Sequence, residues 1–243
     1  MSTLPHCQVC AGARIALYHR DANAELFRCE ECGFIFLHPI PDAATQASLY
    51  EQAGIGARYF PKAERKLQRA QQKMRQLQRL VARGRFLDAG CNGGFMVEAA
   101  RRAGFEAHGV EPDPASVDWA RQHFPANAFA VATLEEYVTG GAQRPFDLVY
   151  CSEVIEHAPD ANRFAAALAA AVARGGYLYL TTPDITHWRR PRALAEWDGY
   201  KPPEHCLYFS PRTLRLLLER HGFTGVKTAW AWKPGIKVLA RRA

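Results

Sequence analysis

A glycine-rich turn between two short apolar segments most constrains the fold of this 243-residue chain. The segment 86–89 is apolar enough for a buried strand, and glycines in the turn 90–94 let the backbone approach a ligand closely. Apolar residues then recur with helical spacing over 95–103, and a second apolar segment, 107–110, ends on Glu111. This order predicts the first β-α-β unit of a nucleotide-binding α/β fold, with Glu111 placed to accept hydrogen bonds from ribose hydroxyls.

The turn does not have the spacing of the known phosphate-binding loops. The dinucleotide pattern Gly-x-Gly-x-x-Gly is absent, and so is Gly-x4-Gly-Lys-Ser/Thr. Asp88 stands at the head of the turn, where it would repel a pyrophosphate but suits a ligand with a cationic group. S-adenosylmethionine carries a sulfonium, an ammonium and a ribose, so it matches both Asp88 and Glu111. Another Rossmann-like nucleotide fold is the alternative that these residues leave open.

Three motifs carry a resemblance to a known family. The turn resembles the first motif of the class I S-adenosylmethionine-dependent methyltransferases, Asp-x-Gly-x-Gly-x-Gly. Gly90 and Gly94 keep their places in that motif, whereas Asn92 replaces the middle glycine. Asparagine tolerates a positive φ better than most residues, so we expect the turn to survive the change. The segments 146–157 and 204–211 resemble a bacterial subgroup that includes the ubiquinone-biosynthesis O-methyltransferases.

The resemblance implies a Rossmann-like, doubly wound α/β sheet of seven strands, the last of them antiparallel. Segments 226–232 and 236–239, joined by a Lys-Pro-Gly turn, have the pattern of a closing hairpin. The resemblance also implies an S-adenosylmethionine-dependent methyltransferase that acts on a small-molecule acceptor, preferably on a hydroxyl. We assign residues 86–243 to this domain and residues 41–85 to linking and covering helices.

Position within the motifs predicts the residues that bind the cofactor. The turn should line the methionine end, and the residues at the ends of the second and third strands should contact the ribose and the adenine. The residues after the fourth strand offer backbone groups beneath the sulfonium. An aromatic residue ahead of the domain resembles those that fold over the cofactor, although it could equally be ordinary packing. The predicted set is Asp88, Ala89, Gly90, Cys91, Asn92, Gly93, Glu111, Pro112, Thr133, Leu134, Cys151, Ser152 and Tyr59.

Two histidines are candidates for the base that a hydroxyl acceptor needs. Methyl transfer from a sulfonium is an in-line displacement in which the acceptor must lose a proton. His157 follows the fourth strand of the domain and His205 follows the fifth, although either could simply bond a backbone carbonyl. Glu153, Glu156 and His157 also have the residue types for a divalent ion. The resemblance to quinone O-methyltransferases implies such an ion there.

Four cysteines near the amino terminus have the spacing of a zinc ribbon. Cys7 and Cys10 form one Cys-x2-Cys pair, and Cys29 and Cys32 form another after 18 residues. Four thiolates close the tetrahedral shell of a zinc ion, which makes such a site structural. Zinc binding of this kind contributes about 10–16 kcal/mol, ample for a unit at residues 1–40 that is too small for its own core. Two disulfides are the alternative.

Much of the net charge of +7 lies in residues 62–85, where an apolar stripe predicts an amphipathic helix. A solvated outer face on a helix that covers the sheet explains these cations. The alternative is an RNA or tRNA methyltransferase that holds its substrate with the ribbon and this basic helix. Because the helix has no interleaved aromatic residues to stack on bases, we favour the first explanation. A protein that binds S-adenosylmethionine without chemistry is a third hypothesis.

The composition bounds the remaining choices. No apolar run approaches the length of a membrane span, and the chain has no signal-peptide pattern, so we expect a cytoplasmic protein. The three cysteines outside the ribbon, Cys91, Cys151 and Cys206, are scattered. We interpret them as small packed side chains rather than nucleophiles.

Overall fold

The computed structural model describes residues 6–42, 45, 62–140 and 144–243. Its strands are β1 (Ile15–Arg20), β2 (Glu25–Cys29), β3 (Ile35–Leu37), β4 (Arg85–Ala89), β5 (Glu106–Glu111), β6 (Ala128–Val131), β7 (Phe146–Ser152), β8 (Val172–Pro183), β9 (Leu207–Tyr208), β10 (Phe223–Ala229) and β11 (Gly235–Arg242). Its helices are α1 (Ala63–Leu77), α2 (Phe95–Arg102), α3 (Pro114–His123), α4 (Leu134–Thr139), α5 (Ala161–Ala171) and α6 (Pro211–Arg220). Short 3-10 helices lie at Ile155–His157 and Leu194–Glu196.

The larger sheet has seven strands in the order β10-β11-β8-β7-β4-β5-β6. The pairs among β4, β5, β6, β7 and β8 are parallel, whereas β11 runs antiparallel to both β8 and β10. This arrangement confirms the predicted Rossmann-like sheet with its antiparallel closing hairpin. The strand order reverses between β4 and β7, so a crevice opens there at the carboxyl ends of the strands.

Helices cover both faces of this sheet, which explains why β4 is buried almost throughout. On one face, Phe86 and Leu148 pack with Met74 of α1 and Val97 of α2. On the other face, the core includes Leu87 together with apolar residues of α4, α5 and α6. Successive residues of β4 therefore alternate between two cores, as the pleat of a strand requires.

Helix α1 is shorter than the sequence predicts. The apolar stripe predicts a helix through residue 85, but the helix ends at Leu77, and Val81 lies beyond its end. The side-chain amide of Gln78 donates to the backbone oxygen of Ala103 at 2.9 Å, which ties the end of α1 to the end of α2. The chain must turn there to enter β4, so tertiary structure overrides the local helical pattern. Among the described helices, none combines the length and apolarity needed to cross a bilayer.

The smaller sheet has the order β1-β2-β3-β9, with antiparallel pairs throughout. Its first three strands come from the amino-terminal segment, whereas β9 comes from the long connection that follows β8. The ring of Phe34 lies 5.1 Å from the ring of Phe209, centroid to centroid, and both side chains are fully buried. The amino-terminal segment therefore shares strand pairing and an apolar core with the larger domain.

Candidate active site

The turn between β4 and α2 has the backbone conformation that its glycines make possible. Gly90 and Gly94 have φ values of +80° and +74°, and Asn92 has φ +44°, which confirms that asparagine accepts the place of the middle glycine. A Cβ at Gly90 would lie 2.4 Å from a methyl group of Val154. The backbone N–H groups of Gly90 and Cys91 both donate to the carbonyl of Val110, which holds the turn against β5.

Asp88 and Glu111 open onto the same cavity, which has a volume of about 1110 Å³. Burial raises the pKa of Asp88, and the nearby charge of Glu111 adds to this effect. Burial also raises the pKa of Glu111. The two oxygens of Glu111 accept the backbone N–H groups of Asn92 at 3.0 Å and of Asp113 at 3.1 Å. Glu111 thus joins the glycine turn to the start of α3 while its carboxylate faces the cavity.

The other predicted cofactor residues fall into three groups. Those that line the cavity with the two acids are Gly90, Cys91, Asn92, Pro112 and Ser152. Those that the cavity lining does not include are Ala89, Gly93, Thr133, Leu134 and Cys151. Within this second group, Thr133 caps α4 and Cys151 is fully buried in the sheet. Tyr59 lies outside the described residues, so its place over the cofactor stays a prediction.

The structure brings His157 and His205 together in the lining of the same cavity. Their ring centroids lie 4.6 Å apart, edge to face. Nδ1 of His157 lies 2.9 Å from the carbonyl oxygen of Glu204, and Nδ1 of His205 lies 2.9 Å from that of Gly199. A carbonyl oxygen can only accept, so each Nδ1 carries the proton and each neutral ring keeps its lone pair on Nε2. Burial is the main cause that lowers the pKa of His157 to about 3 and that of His205 to about 4.

Glu156 completes a compact group with these two histidines. One ligand atom from each of Glu156, His157 and His205 lies within 4.8 Å of the others. The hydroxyl of Thr182 donates to Oε2 of Glu156 at 2.9 Å, whereas Oε1 is buried without a hydrogen-bond partner in the described part of the chain. Burial, together with the charge of Glu153, raises the pKa of Glu156 to about 8.

Glu153 lines the cavity but lies outside this compact group of described residues. Its backbone has φ +56°, an uncommon conformation for a residue with a side chain, and its N–H donates to the carbonyl of Thr181. The hydroxyl of Thr181 donates to the carboxylate of Glu153 at 2.8 Å and lies 2.7 Å from the hydroxyl of Ser152. This chain of hydrogen bonds orients Glu153 at the end of β7.

Sequence reasoning missed the part that α1 plays in the cavity. Lys66, Arg69 and Lys73 lie three or four residues apart on one face of α1, and all three line the cavity. The ammonium of Lys73 also bonds the hydroxyl of Tyr179 at 3.1 Å. The i, i+3, i+7 spacing of these cations is visible in the sequence, but nothing local indicates that this face lines a cavity rather than facing open solvent.

The four amino-terminal cysteines converge as a zinc site requires. Their sulfur atoms lie within 4.8 Å of one another, with 3.5 Å between Cys7 and Cys32 and between Cys10 and Cys29. All four are free thiols, so the disulfide alternative is wrong for this structure. Tetrahedral Zn–S bonds of about 2.3 Å place sulfur atoms about 3.8 Å apart, so the geometry fits zinc. Within the Cys7–Cys32 pair, the shared hydrogen bond lowers the pKa of Cys7 to about 5 and raises that of Cys32.

The two cysteine pairs sit on turns with equivalent hydrogen bonds. The carbonyl of Cys7 accepts the N–H of Ala11 at 2.8 Å, and the carbonyl of Cys29 accepts the N–H of Gly33 at 2.9 Å. Ala11 and Gly33 both have positive φ, +62° and +87°. The residue that takes the left-handed conformation after the first pair is therefore Ala11, not the glycine that follows it.

Comparison with known proteins places this site in a family. The strand order, the acid-headed glycine turn and the second acid one strand later define a class I S-adenosylmethionine-dependent methyltransferase. The chain belongs to the methyltransferase domain family, whose model matches residues 59–228. It is 36% identical over 102 residues to a ubiquinone biosynthesis O-methyltransferase of Bordetella avium, which covers 40% of this chain and 42% of that protein. The chain thus spans less than half the length of that relative.

Two solved structures share the fold at low identity. One is a Burkholderia thailandensis 1,6-didemethyltoxoflavin-N1-methyltransferase with bound S-adenosylhomocysteine, with a TM-score of 0.59 and 16% identity over 93% of this chain and 99% of that one. The other is the magnesium protoporphyrin IX methyltransferase of Synechocystis with bound S-adenosylmethionine, with a TM-score of 0.52 and 18% identity over 73% and 79%. At these identities the two structures support the fold alone.

Proposed function

We propose that this protein transfers the methyl group of S-adenosylmethionine to a hydroxyl of a small-molecule acceptor. The observation that carries the proposal is one cavity lined by two chemically different groups. Asp88 and Glu111 supply two acids to its lining, and His157 and His205 supply two neutral imidazoles. The resemblance to ubiquinone biosynthesis O-methyltransferases favours oxygen as the acceptor atom.

The cofactor would occupy the end of the cavity at β4 and β5. A buried carboxylate at Asp88 suits the cationic sulfonium and ammonium groups, because burial strengthens their Coulomb attraction. Glu111 would accept hydrogen bonds from the ribose hydroxyls, since each of its oxygens keeps a lone pair besides the one used by the backbone. The sulfonium methyl would then point toward the end of β7, where Ser152 lines the cavity.

The acceptor would lie between the methyl group and the two histidines. At neutral pH the low pKa values leave both imidazoles neutral, whereas the raised pKa of Glu156 favours its protonated form. His157 and His205 can therefore accept a proton at Nε2, but the low pKa makes each a weak base, so the acceptor hydroxyl would have to be acidified, as a divalent ion at this group would do. The oxygen of the acceptor attacks the methyl carbon in line with the breaking carbon–sulfur bond, and S-adenosylhomocysteine leaves.

A divalent cation is compatible with the same three side chains. Glu156 provides an oxygen that has no hydrogen-bond partner among the described residues, and His157 and His205 provide imidazoles. Carboxylate oxygens and neutral imidazoles are ligands that zinc and related ions accept. Such an ion would lower the pKa of an acceptor hydroxyl and orient it. At the amino terminus, Cys7, Cys10, Cys29 and Cys32 would hold a structural zinc ion.

An activity screen tests the proposed function. Purified protein with methyl-labelled S-adenosylmethionine is offered catechols and other phenols, sugars, carboxylates and RNA. We expect label in a hydroxyl compound, with turnover lost in His157→Gln or His205→Gln and kept in His123→Gln, whose ring stacks on Trp119 at the surface. Repeating the assay after chelation and after adding back zinc or magnesium tests the divalent ion.

Three outcomes would contradict the proposal in different ways. Tight cofactor binding without turnover on any acceptor would indicate a binding protein. Methylation confined to RNA, with a steep salt dependence, would support the nucleic-acid alternative. Full turnover in both histidine variants would show that neither histidine is the base, even if the reaction is correct.

A further inference from the structure

Three exposed tryptophans form a surface beside the mouth of the cavity. The exposed fractions are 71% for Trp188, 70% for Trp230 and 58% for Trp232, the largest among the exposed apolar side chains of the described residues. Trp188 lies in the connection after β8, and the other two lie between β10 and β11. These three residues and Arg189 are called the tryptophan patch below. Burying even part of such side chains in an apolar phase is strongly favourable, so their exposure indicates a binding surface.

Hydrogen bonds hold the two loops of the patch together as one surface. Nε2 of His187 donates to the carbonyl of Ala231 at 3.0 Å, and its Nδ1 accepts the backbone N–H of Arg189 at 3.1 Å. The rings of Trp188 and Trp232 meet edge to face, with centroids 6.4 Å apart. The patch is therefore ordered before any partner arrives.

The segments that carry the patch have cations and no acids. Residues 185–193 and 224–243 contain no aspartate or glutamate. Arg189, Arg190, Arg192, Lys227, Lys233 and Lys237 are the cations nearest the patch, whereas Arg241 and Arg242 lie at the far end of β11, where they donate to the carbonyls of Gly175 and Ala169. No cation of the two segments forms a salt bridge among the residues that the structure describes. Charge complementarity therefore favours a partner with a dense negative surface.

The ring faces of Trp188 and Trp232 help to distinguish two kinds of anionic partner, single-stranded nucleic acid and a lipid bilayer. The guanidinium of Arg189 lies over Trp232 at 4.1 Å and over Trp188 at 5.3 Å, and the ring of His187 lies nearly parallel to Trp188 at 6.0 Å. Single-stranded nucleic acid needs open ring faces on which its bases can stack, and the guanidinium of Arg189 already occupies one face of Trp232. A bilayer surface needs only exposed ring edges at the depth of the head groups, with cations beside them.

We propose that the tryptophan patch docks this protein on the surface of an anionic lipid bilayer. The tryptophan edges enter the head-group region while Arg189 and the neighbouring cations bind lipid phosphates. Lys233 and Pro234, next to Trp232 in the chain, line the cavity, so docking brings the cavity mouth close to the bilayer. This surface acts beside the proposed methyl transfer and does not depend on it.

Vesicle sedimentation tests this proposal with the full chain. We expect binding to vesicles of phosphatidylcholine with phosphatidylglycerol, weak binding to phosphatidylcholine alone, and a loss of affinity as salt rises. Arg189→Gln should weaken binding about fivefold, as expected for one cation near an anionic surface. Trp230→Ala with Trp232→Ala should weaken it about tenfold or more, through lost apolar contact. Tyr18→Ala, on the exposed side of β1, is the matched control and should bind like the unchanged protein.

Calorimetry with S-adenosylmethionine on the same variants shows whether each one is folded and whether the cofactor site is intact. A labelled single-stranded RNA, followed by fluorescence anisotropy, provides the competing test. Absence of vesicle binding by the unchanged protein would overturn the proposal, as would equal binding by the tryptophan variant and the control. Tryptophan-dependent binding of RNA without binding of vesicles would also overturn it, in favour of nucleic acid.

Discussion

Replacement of Glu111 by glutamine probes the residue that joins the proposed ribose site to the glycine turn. The two carboxylate oxygens of Glu111 accept the N–H groups of Asn92 and Asp113 at 3.0 Å and 3.1 Å. Glutamine keeps one acceptor oxygen but presents an NH2 donor in place of the other. One backbone N–H group then loses its acceptor, so we expect the free energy of unfolding to fall by about 1–3 kcal/mol.

Glu111→Gln should also weaken binding of the cofactor, and this effect on the Kd is separate from the loss of folding stability. A hydrogen bond between a carboxylate and a hydroxyl contributes about 1.5–3 kcal/mol, so Glu111→Gln should raise the Kd about 10-fold to 150-fold. Isothermal titration calorimetry measures this for S-adenosylmethionine and S-adenosylhomocysteine, which share the ribose and should lose affinity equally. Glu106→Gln, at the opposite end of β5, is the matched control and should leave both affinities unchanged.

Unchanged affinity in a folded Glu111→Gln protein would refute the placement of the ribose. A loss confined to S-adenosylmethionine would also refute it, because only the sulfonium distinguishes that compound from the product. Such a result would mean that Glu111 acts on the charge of the ligand, which is the part assigned here to Asp88.

Three further changes test neighbouring parts of the site. Burial raises the pKa of Asp88, and a bound cation should lower that pKa, so binding of S-adenosylmethionine should release a proton and become tighter as pH rises. Calorimetry in buffers of different ionisation enthalpy measures the proton release, and binding without release would contradict the prediction. Gly90→Ala should destabilise the fold more than Gly104→Ala in chemical denaturation, because both have positive φ but only a Cβ at Gly90 meets Val154; equal losses would contradict it. Cys29→Ser should lower the zinc content of the protein, which atomic absorption measures. The same change should raise the KM for the acceptor and leave the Kd for S-adenosylmethionine unchanged. An unchanged KM despite the loss of zinc would contradict this prediction.

Local sequence was enough to predict that Asp88, the glycine turn and Glu111 line one cavity. The turn at 90–94 and the acids at its two sides lie within one β-α-β unit, so their arrangement follows from strand, turn and helix geometry. Asn92 could be placed correctly because its permitted backbone conformations are a local property. The end of α1 at Leu77 could not be predicted from local sequence, because the contact of α1 with α2 and the entry of the chain into β4 determine where the helix ends.

The group of His157, His205 and Glu156, the proposed acceptor site, depends on contacts between distant parts of the chain. His157 and His205 are 48 residues apart in sequence and were separate candidates. They meet because the N–H of Cys206 donates to the carbonyl of Glu156 at 2.8 Å, which draws the two loops together. Neither loop has a periodic pattern that specifies this pairing, so the sequence alone left the group of two histidines and a glutamate undetermined.

Cys206 also links the group of His157, His205 and Glu156 to the amino-terminal cysteines. The carbonyl of Cys206 accepts the N–H of Leu37 at 2.8 Å, and β9, which starts at the next residue, pairs with β3. Immediately before β3, Phe34 donates its N–H to the sulfur of Cys32. A zinc ion at the four cysteines would therefore fix β3, β3 would fix β9, and β9 would hold His205 beside His157. The four cysteines would then support the proposed acceptor site rather than the proposed cofactor site, so the Cys29 variant should change the KM for the acceptor and leave cofactor affinity unchanged.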